Sequence, residues 1–260
     1  VVEPVAQILE GHRGKSVFEG LRTGGERPMY GLVNTILTTP YLLYYVIPLA
    51  PAVYGAYRGY LRMQGREQAE SALESWAALN GYQLVPQPDG STPTLAADNG
   101  RSGPCFEVPV GEQSAALFGF SYTVGSGKEQ VTVDTTIVQA LLAAGFPHFR
   151  VVPRNAHQLP PGPGDEHEVE LESIEFQRDH KLLAGQSADR AALERMFDPE
   201  TIVWWINQGS LAPIVEYQTG TLVVRSMLPL SDAGEYDMLL GQAQKIAGRV
   251  LAEGLLHSAS

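Results

Sequence analysis

Residues Pro28–Tyr57 read PMYGLVNTILTTPYLLYYVIPLAPAVYGAY, thirty positions between Arg27 and Arg58 without one charged side chain. As a helix this run would extend about 45 Å at ~1.5 Å per residue, whereas the hydrocarbon core of a bilayer is ~30 Å thick. A buried helix of a soluble protein is the competing reading, and the run is long for one. Tyrosines gather at its ends, Tyr30 on one side and Tyr54, Tyr57 and Tyr60 on the other, as amphipathic rings do at a membrane interface. Against a regular span stand Pro40, Pro48 and Pro51, each of which removes a helical hydrogen bond. Membrane helices tolerate this where neighbours satisfy the freed carbonyls, so the prolines predict a kinked span or an unwound end. Two full passes need roughly 40 residues, so a single transmembrane helix is expected, with a re-entrant segment left open.

Working outward, residues 1–27 form a juxtamembrane leader. Val2, Val5, Ile8 and Leu9 supply one apolar stripe, and Val17, Phe18 and Leu21 a second after Gly14. A short helix lying on the interface and a loosely ordered tail are both compatible with that pattern. The leader has no apolar stretch of signal-peptide length, and with Val1 in first place the true start is expected to be processed or missing. Beyond the span, Arg58, Arg62 and Arg66 recur at i, i+4 and i+8 on one helical face, placed to meet lipid headgroups. Ala69, Ala72, Leu73, Trp76 and Ala77 then give an apolar helical stripe, and Asn80–Gly81 supply a stop. The spacing predicts that the helix continues unbroken through a connecting amphipathic segment, 58–81.

Charge divides the chain. The net charge is −11; residues 1–66 carry seven Lys/Arg against four Glu, and residues 67–260 eleven Lys/Arg against twenty-five Asp/Glu. A domain so acidic repels phosphate backbones, which argues against nucleic acid as a partner and leaves the bilayer to the basic N-terminal part. The lone Cys105 excludes an intramolecular disulfide framework and a CxxC metal site, and fits a reducing compartment.

From residue 82 to 260 the pattern predicts a mixed α+β domain in two sub-halves. Strands are expected at Tyr82–Val85, Phe106–Val110, Ala115–Val124, Gln130–Val138 and Phe149–Val152, with a hairpin turn at Gly125–Lys128. The Pro/Gly-rich stretch 153–165 is the candidate internal boundary. Glu166, Glu168, Glu170 and Glu172 then alternate with Val169 and Leu171. Ile174 and Phe176 shift the apolar phase by one residue, which predicts a bulged strand ending near Leu182–Leu183. Helices follow at Ser187–Phe197, capped by Ser187 or Asp189, and at Pro199–Asn207, capped by Asp198 with Pro199 at the first helical position. A hairpin, Ile214–Tyr217 and Leu222–Met227, turns at Thr219–Gly220. A last helix from near Asp232 is expected to bury Met238, Leu239, Ala243, Ile246, Val250 and Leu251. Strands and helices segregate enough to argue against a doubly wound sheet.

Catalytic patterns are tested and set aside. Gly11-His12-Arg13-Gly14-Lys15-Ser16 lacks the first glycine of a phosphate-binding loop, where Leu9 stands, and Gly125-Ser126-Gly127-Lys128 has Tyr122 and Glu129 in place of its first Gly and its Ser/Thr. The six histidines show no HxxxH or HExxH spacing. His167 and His180 lie near Glu168, Glu172 and Asp179, where a carboxylate–histidine metal site is conceivable but a solvated edge strand is the ordinary reading. No nucleophile-elbow signature accompanies any Ser, and Cys105 beside Pro104 has no local base. The expectation is therefore a protein with no catalytic residues, no cofactor and no metal.

ESWAALNGY at 74–82 and VELESIEFQRDHK at 169–181 resemble an actinobacterial family of membrane-anchored proteins that includes a mycobacterial trehalose monomycolate transport factor. In that family one N-terminal span precedes a Trp-containing helix ending in Gly-aromatic, an apolar FxYxY-type strand and an E-L-E-S-x-x-F-x-R strand. The matching positions are Trp76, Gly81 and Tyr82; Phe118, Phe120 and Tyr122; and Glu170, Leu171, Glu172, Ser173, Phe176 and Arg178. The resemblance runs in patches over residues 60–255, and the proline-bearing span and 27-residue leader depart from it. It implies a non-enzymatic accessory or scaffold subunit of an inner-membrane complex, single-pass, with the folded domain in the cytoplasm. The implied partner is an integral membrane protein, an RND-family lipid transporter. In such a complex Asn34, Thr35, Thr38 and Thr39 are placed to make interhelical hydrogen bonds, although Thr also bonds to its own helix carbonyls. A membrane-tethered lipid- or ligand-binding module and an enzyme of unrecognised type stay open as alternatives.

Overall fold

The computed structural model describes residues 40–88, 92, 100–127, 130–143, 145–154, 159 and 162–258. Among the described residues helix α1 spans Pro40–Asn80. The leader, the first twelve residues of the uncharged run and with them Asn34, Thr35, Thr38 and Thr39 lie outside the described residues. Among the described residues no helix is long and apolar enough to cross a membrane. The chain divides into two compact units, residues 1–62 and 63–260, and α1 contributes to each. In the first, Tyr54, Tyr57 and Tyr60 are exposed.

In the second unit the expected stripe of α1 is the buried one: Leu73, Trp76 and Ala77 are in the core and Ala69 and Ala72 half-buried. The helix stops as predicted. Gly81 adopts φ +72°, its N–H bonds to the Ala78 carbonyl and the Tyr82 N–H to that of Ala77, so two orphan carbonyls are satisfied at once. The Tyr82 ring closes the cap against Trp76, centroids 5.1 Å apart.

The strands β1 (Gln83–Leu84), β2 (Arg101–Val110), β3 (Gln113–Val124), β4 (Val131–Leu141), β5 (Phe149–Pro153), β6 (Glu166–Val169), β7 (His180–Gly185), β8 (Ile214–Gln218) and β9 (Thr221–Arg225) form one sheet in the order β1-β2-β3-β4-β9-β8-β5-β7-β6. Every neighbouring pair is antiparallel. The β8–β9 turn carries Thr219 and Gly220 at φ +47° and +81°, the double left-handed geometry that matches strand twist in a two-residue hairpin. The stretch 153–165 connects β5 to β6 within this sheet, and the sheet is continuous from the N-terminal strands into the later ones through β4–β9 and β8–β5.

The expectation of one bulged strand from Glu166 to Leu183 is corrected. β6 ends at Val169, and Ser173 caps a short helix α2 (Ile174–Asp179), its hydroxyl accepting the Phe176 N–H at 3.2 Å. The shift of apolar phase at Ile174 therefore marks a helix entry, with Ile174 exposed and Phe176 in the core. The chain returns as β7. Helix α3 (Arg190–Met196) is capped by Asp189, and α4 (Pro199–Gln208) by Asp198, whose carboxylate accepts the Thr201 N–H at 2.8 Å. Helix α5 (Ala233–Ser258) buries Leu239, Ala243, Ile246 and Val250 as expected; Met238 and Leu251 are only half-buried, and Tyr236 and Ala247 take core positions.

Side chains from α2 to α5 and the end of α1 pack with Val108, Leu117, Val138, Phe149, Val151, Leu182, Val215, Tyr217 and Val224 into one core. Because strand side chains alternate, the residues between these positions lie on the other face of the sheet. There Cys105, Phe118, Phe120, Tyr122, Ile137 and Val223 make a second apolar cluster.

Candidate functional site

The second face holds buried charge. The register places Gln139, Val223, Glu216 and Arg150 side by side across β4, β9, β8 and β5. Gln139, Glu216 and Arg150 are exposed by no more than 4%. Arg150 Nη1 donates to Glu166 Oε2 at 3.0 Å, and the other oxygen of Glu166 lies 2.7 Å from His148 Nε2. Glu166 thus bridges an arginine and a histidine with little solvent around either contact. Gly162 crosses this group so closely that a Cβ there would fall within 3.0 Å of both the Glu166 carboxylate and Arg150 Nη1.

Further along the face, Arg225 is 2% exposed. Its Nη1 donates to the Tyr122 hydroxyl at 2.7 Å, and its guanidinium carbon stands 5.2 Å from the Tyr122 ring centroid. Burial lowers the Arg225 pKa, an effect opposed first by Tyr122. Burial raises that of Tyr122, which Arg225 in turn pulls back. Cys105 in the same cluster is pushed up to about 11 by burial, so its thiol is inert at neutral pH.

A cleft of ≈340 Å³ opens where β5 begins and β7 and β8 end, lined by Phe146, His148, Asp165, Ser187, Asp189 and Gln218 among others. Its side chains present mostly oxygen acceptors beside one imidazole edge, a lining suited to a polar ligand. His148 is held there by Glu166 from β6, and Asp189 by its capping of α3.

The residues singled out from sequence fall elsewhere. Asn34, Thr35, Thr38 and Thr39 lie outside the described residues; Arg58 and Arg62 lie on α1, their side chains outside the description. Arg66 Nε pairs with Glu70 Oε1 at 2.7 Å, one turn on. His167 is exposed on β6. His180 is buried, stacked on Phe176 at 5.4 Å and edge-on to Trp205, and burial lowers its pKa. Among the described residues no three His, Cys, Asp or Glu side chains converge as a metal would need. Gly125 and Gly127, at φ +89° and +58°, turn the β3–β4 hairpin.

The charged face was missed in the sequence although a signal existed. FRVVP, IVEYQ and TLVVR each carry one charged residue in an otherwise apolar or uncharged central strand, and such a residue must be buried with its strand.

These features define an α+β domain built on one antiparallel sheet, with helices packed on one face and polar groups sunk into the other. The fold is similar to the crystal structure of the mycobacterial trehalose monomycolate transport factor A, with a TM-score of 0.51 over 70% of this chain and 93% of that one. Identity between the two is 10%, so the likeness is one of fold. No family model matches the chain, and no curated protein matches it in sequence.

Proposed function

We propose that this chain is a non-enzymatic accessory factor in the transport of trehalose monomycolate, tethered to the inner membrane by a helix over Pro28–Tyr57, with its α+β domain in the cytoplasm. The observation that carries the reading is the fold likeness, which takes in nearly the whole of the transport factor's structure. The uncharged thirty-residue run supports the tether, and the basic residues beside it with the single thiol support the cytoplasmic side. The partner is an integral membrane protein, an RND-family lipid transporter, engaged in part through Asn34, Thr35, Thr38 and Thr39.

The test is complementation. In a mycobacterial strain depleted of transport factor A, expression of this chain should restore delivery of radiolabelled trehalose monomycolate to the outer envelope. It should also co-purify with the transporter in mild detergent. Expression at the membrane with neither effect refutes the reading.

A further inference from the structure

We propose that the cleft where β5 begins and β7 and β8 end binds a small aliphatic diamine. The inference goes beyond the transport reading and does not rest on it. It starts from an excess of acceptors in the cleft wall. Phe149 pairs with Tyr217, so the next residues along, His148 and Gln218, come side by side at the end of β8–β5 pairing. Both line the cleft. His148 Nε2 lies 2.7 Å from Glu166 Oε1, and a carboxylate only accepts, so Nε2 carries the proton. On the neutral ring Nδ1 is then an acceptor. It is buried without a hydrogen-bond partner, and so is Gln218 Oε1. A buried acceptor with no donor keeps the cost of its lost hydration, so this wall is suited to a ligand rich in donors.

Charge sets the rest of the ligand. Asp165 Oδ2 and His148 Cδ2 lie 3.8 and 3.9 Å from the point where a Cβ on Gly185 would stand. Glycine in β7 thus leaves open the space on which carboxylate and imidazole converge. Asp165 is exposed and forms no ion pair among the described residues. Asp189 brings a second carboxylate, one oxygen of which accepts the Ala191 N–H at 2.9 Å. The described lining holds no Lys or Arg. The guanidiniums nearby are committed, Arg150 to Glu166 and Arg190 to Glu194 at 2.8 Å. A phosphate or carboxylate therefore finds no counter-charge. A sugar ring finds no open aromatic face, because Phe146 is 6% exposed and held edge-on by Phe149 and Tyr217. A metal ion finds no third ligand among the described residues. An alkylammonium has three donors and no acceptor, and two carboxylates on one cleft call for two such groups. At ≈340 Å³ the cleft stands at the small end of ligand sites, roughly 300–1,000 Å³, which suits a chain of a few carbons. The acidic domain, eleven Lys/Arg against twenty-five Asp/Glu over residues 67–260, draws such a dication toward it.

Equilibrium dialysis of the purified full chain against radiolabelled putrescine, at about 0.15 M salt to screen the general surface charge, tests the inference. Binding should saturate at a single site per chain. N-acetylputrescine, which keeps the chain and one ammonium, should compete at least about tenfold less well, and butanediol not at all. Asp165→Asn should weaken binding at least about tenfold and Gln218→Leu several-fold. Glu112→Gln, the same loss of charge on the exposed β2–β3 turn, should leave it unaltered. If Gln218→Leu does not fold, Asp165→Asn decides, its side chain being exposed. Non-saturating binding, equal competition by the acetylated amine or the diol, or an Asp165→Asn variant that binds like Glu112→Gln overturns the inference; the last would mean that the acidic surface at large collects the amine. None of these outcomes bears on whether trehalose monomycolate delivery is restored.

Discussion

Replacing Gly162 by Ala adds one methyl group at the point where the chain crosses the Arg150–Glu166 pair. Gly162 does not have a left-handed φ, so the substitution carries no backbone strain, and its effect is steric. The new Cβ would stand closer than 3.0 Å to Glu166 Oε2 and Arg150 Nη1, a separation that real Cβ atoms do not show. Either the loop lifts or the pair parts. The two side chains are only 4% and 10% exposed, so separating them leaves poorly solvated charge. Removing one partner of such a pair typically costs about 3–5 kcal/mol, so we expect a loss of about 3 kcal/mol, or roughly 6–12 °C in Tm. Gly164→Ala, two residues along the same loop, is the matched control: nothing lies within 4 Å of its Cβ. By restricting the unfolded chain it should leave stability unchanged or raise it by about 0.4–1 kcal/mol. Urea unfolding followed by the fluorescence of Trp76, Trp204 and Trp205 measures both. Adding Glu166→Gln to Gly162→Ala should cost little more, because the contact is already broken. If the two alanine variants agree within about 0.5 kcal/mol, the close crossing does not bear on stability and the reasoning is refuted.

Cys105, with its thiol near 11, should react with Ellman's reagent at pH 8 only on unfolding, since roughly a thousandth of it is thiolate; rapid reaction of the native protein would refute this. Burial holds the folded-state pKa of His180 below its unfolded value of about 6.5, so on acidification the unfolded state takes up its proton first. Unfolding free energy should accordingly fall as pH drops from 7 through 6.5 toward the folded-state pKa, and His180→Phe should remove that part of the slope. The proposed tether and partner are tested by replacing residues 31–57 with a poly-Leu span: on that proposal the domain should stay at the membrane while pull-down of the partner is lost, and recovery of the same partner at wild-type yield refutes recognition through this segment.

Local chemistry was legible and long-range pairing was not. The α1 stripe with its Gly81 stop, the Asp198–Pro199 helix start and the Thr219–Gly220 turn each depend on a few adjacent residues, and each stands where the sequence puts it. Helix α2 escaped because Glu166–Leu171 alternates as a strand does, and six residues are too few to display a helical period against it. Only Ser173, a capping residue three before the buried Phe176, hinted at the change. The charged face escaped for a different reason. Arg150, Glu216 and Arg225 become neighbours through β5–β8 and β8–β9 pairing, and nothing in a linear pattern announces which strands will meet. Asn34, Thr35, Thr38 and Thr39, the polar residues expected to meet a partner helix, precede the described residues.

The strand order has a consequence for how the chain is made. β4 and β5 are close in sequence, yet in the sheet the β8–β9 hairpin separates them. As the chain emerges from the ribosome, the β1–β4 meander can assemble while the inner edge of β4 has nothing to pair with. Leu141 must wait for Thr221, and Phe149 for Tyr217. Until then two apolar strand edges stand open, the situation in which newly made sheets pair with the wrong neighbour. The hairpin acts as a keystone set late. Its tight, self-sufficient turn lets it form alone and enter the gap as one piece, closing both edges in a single step.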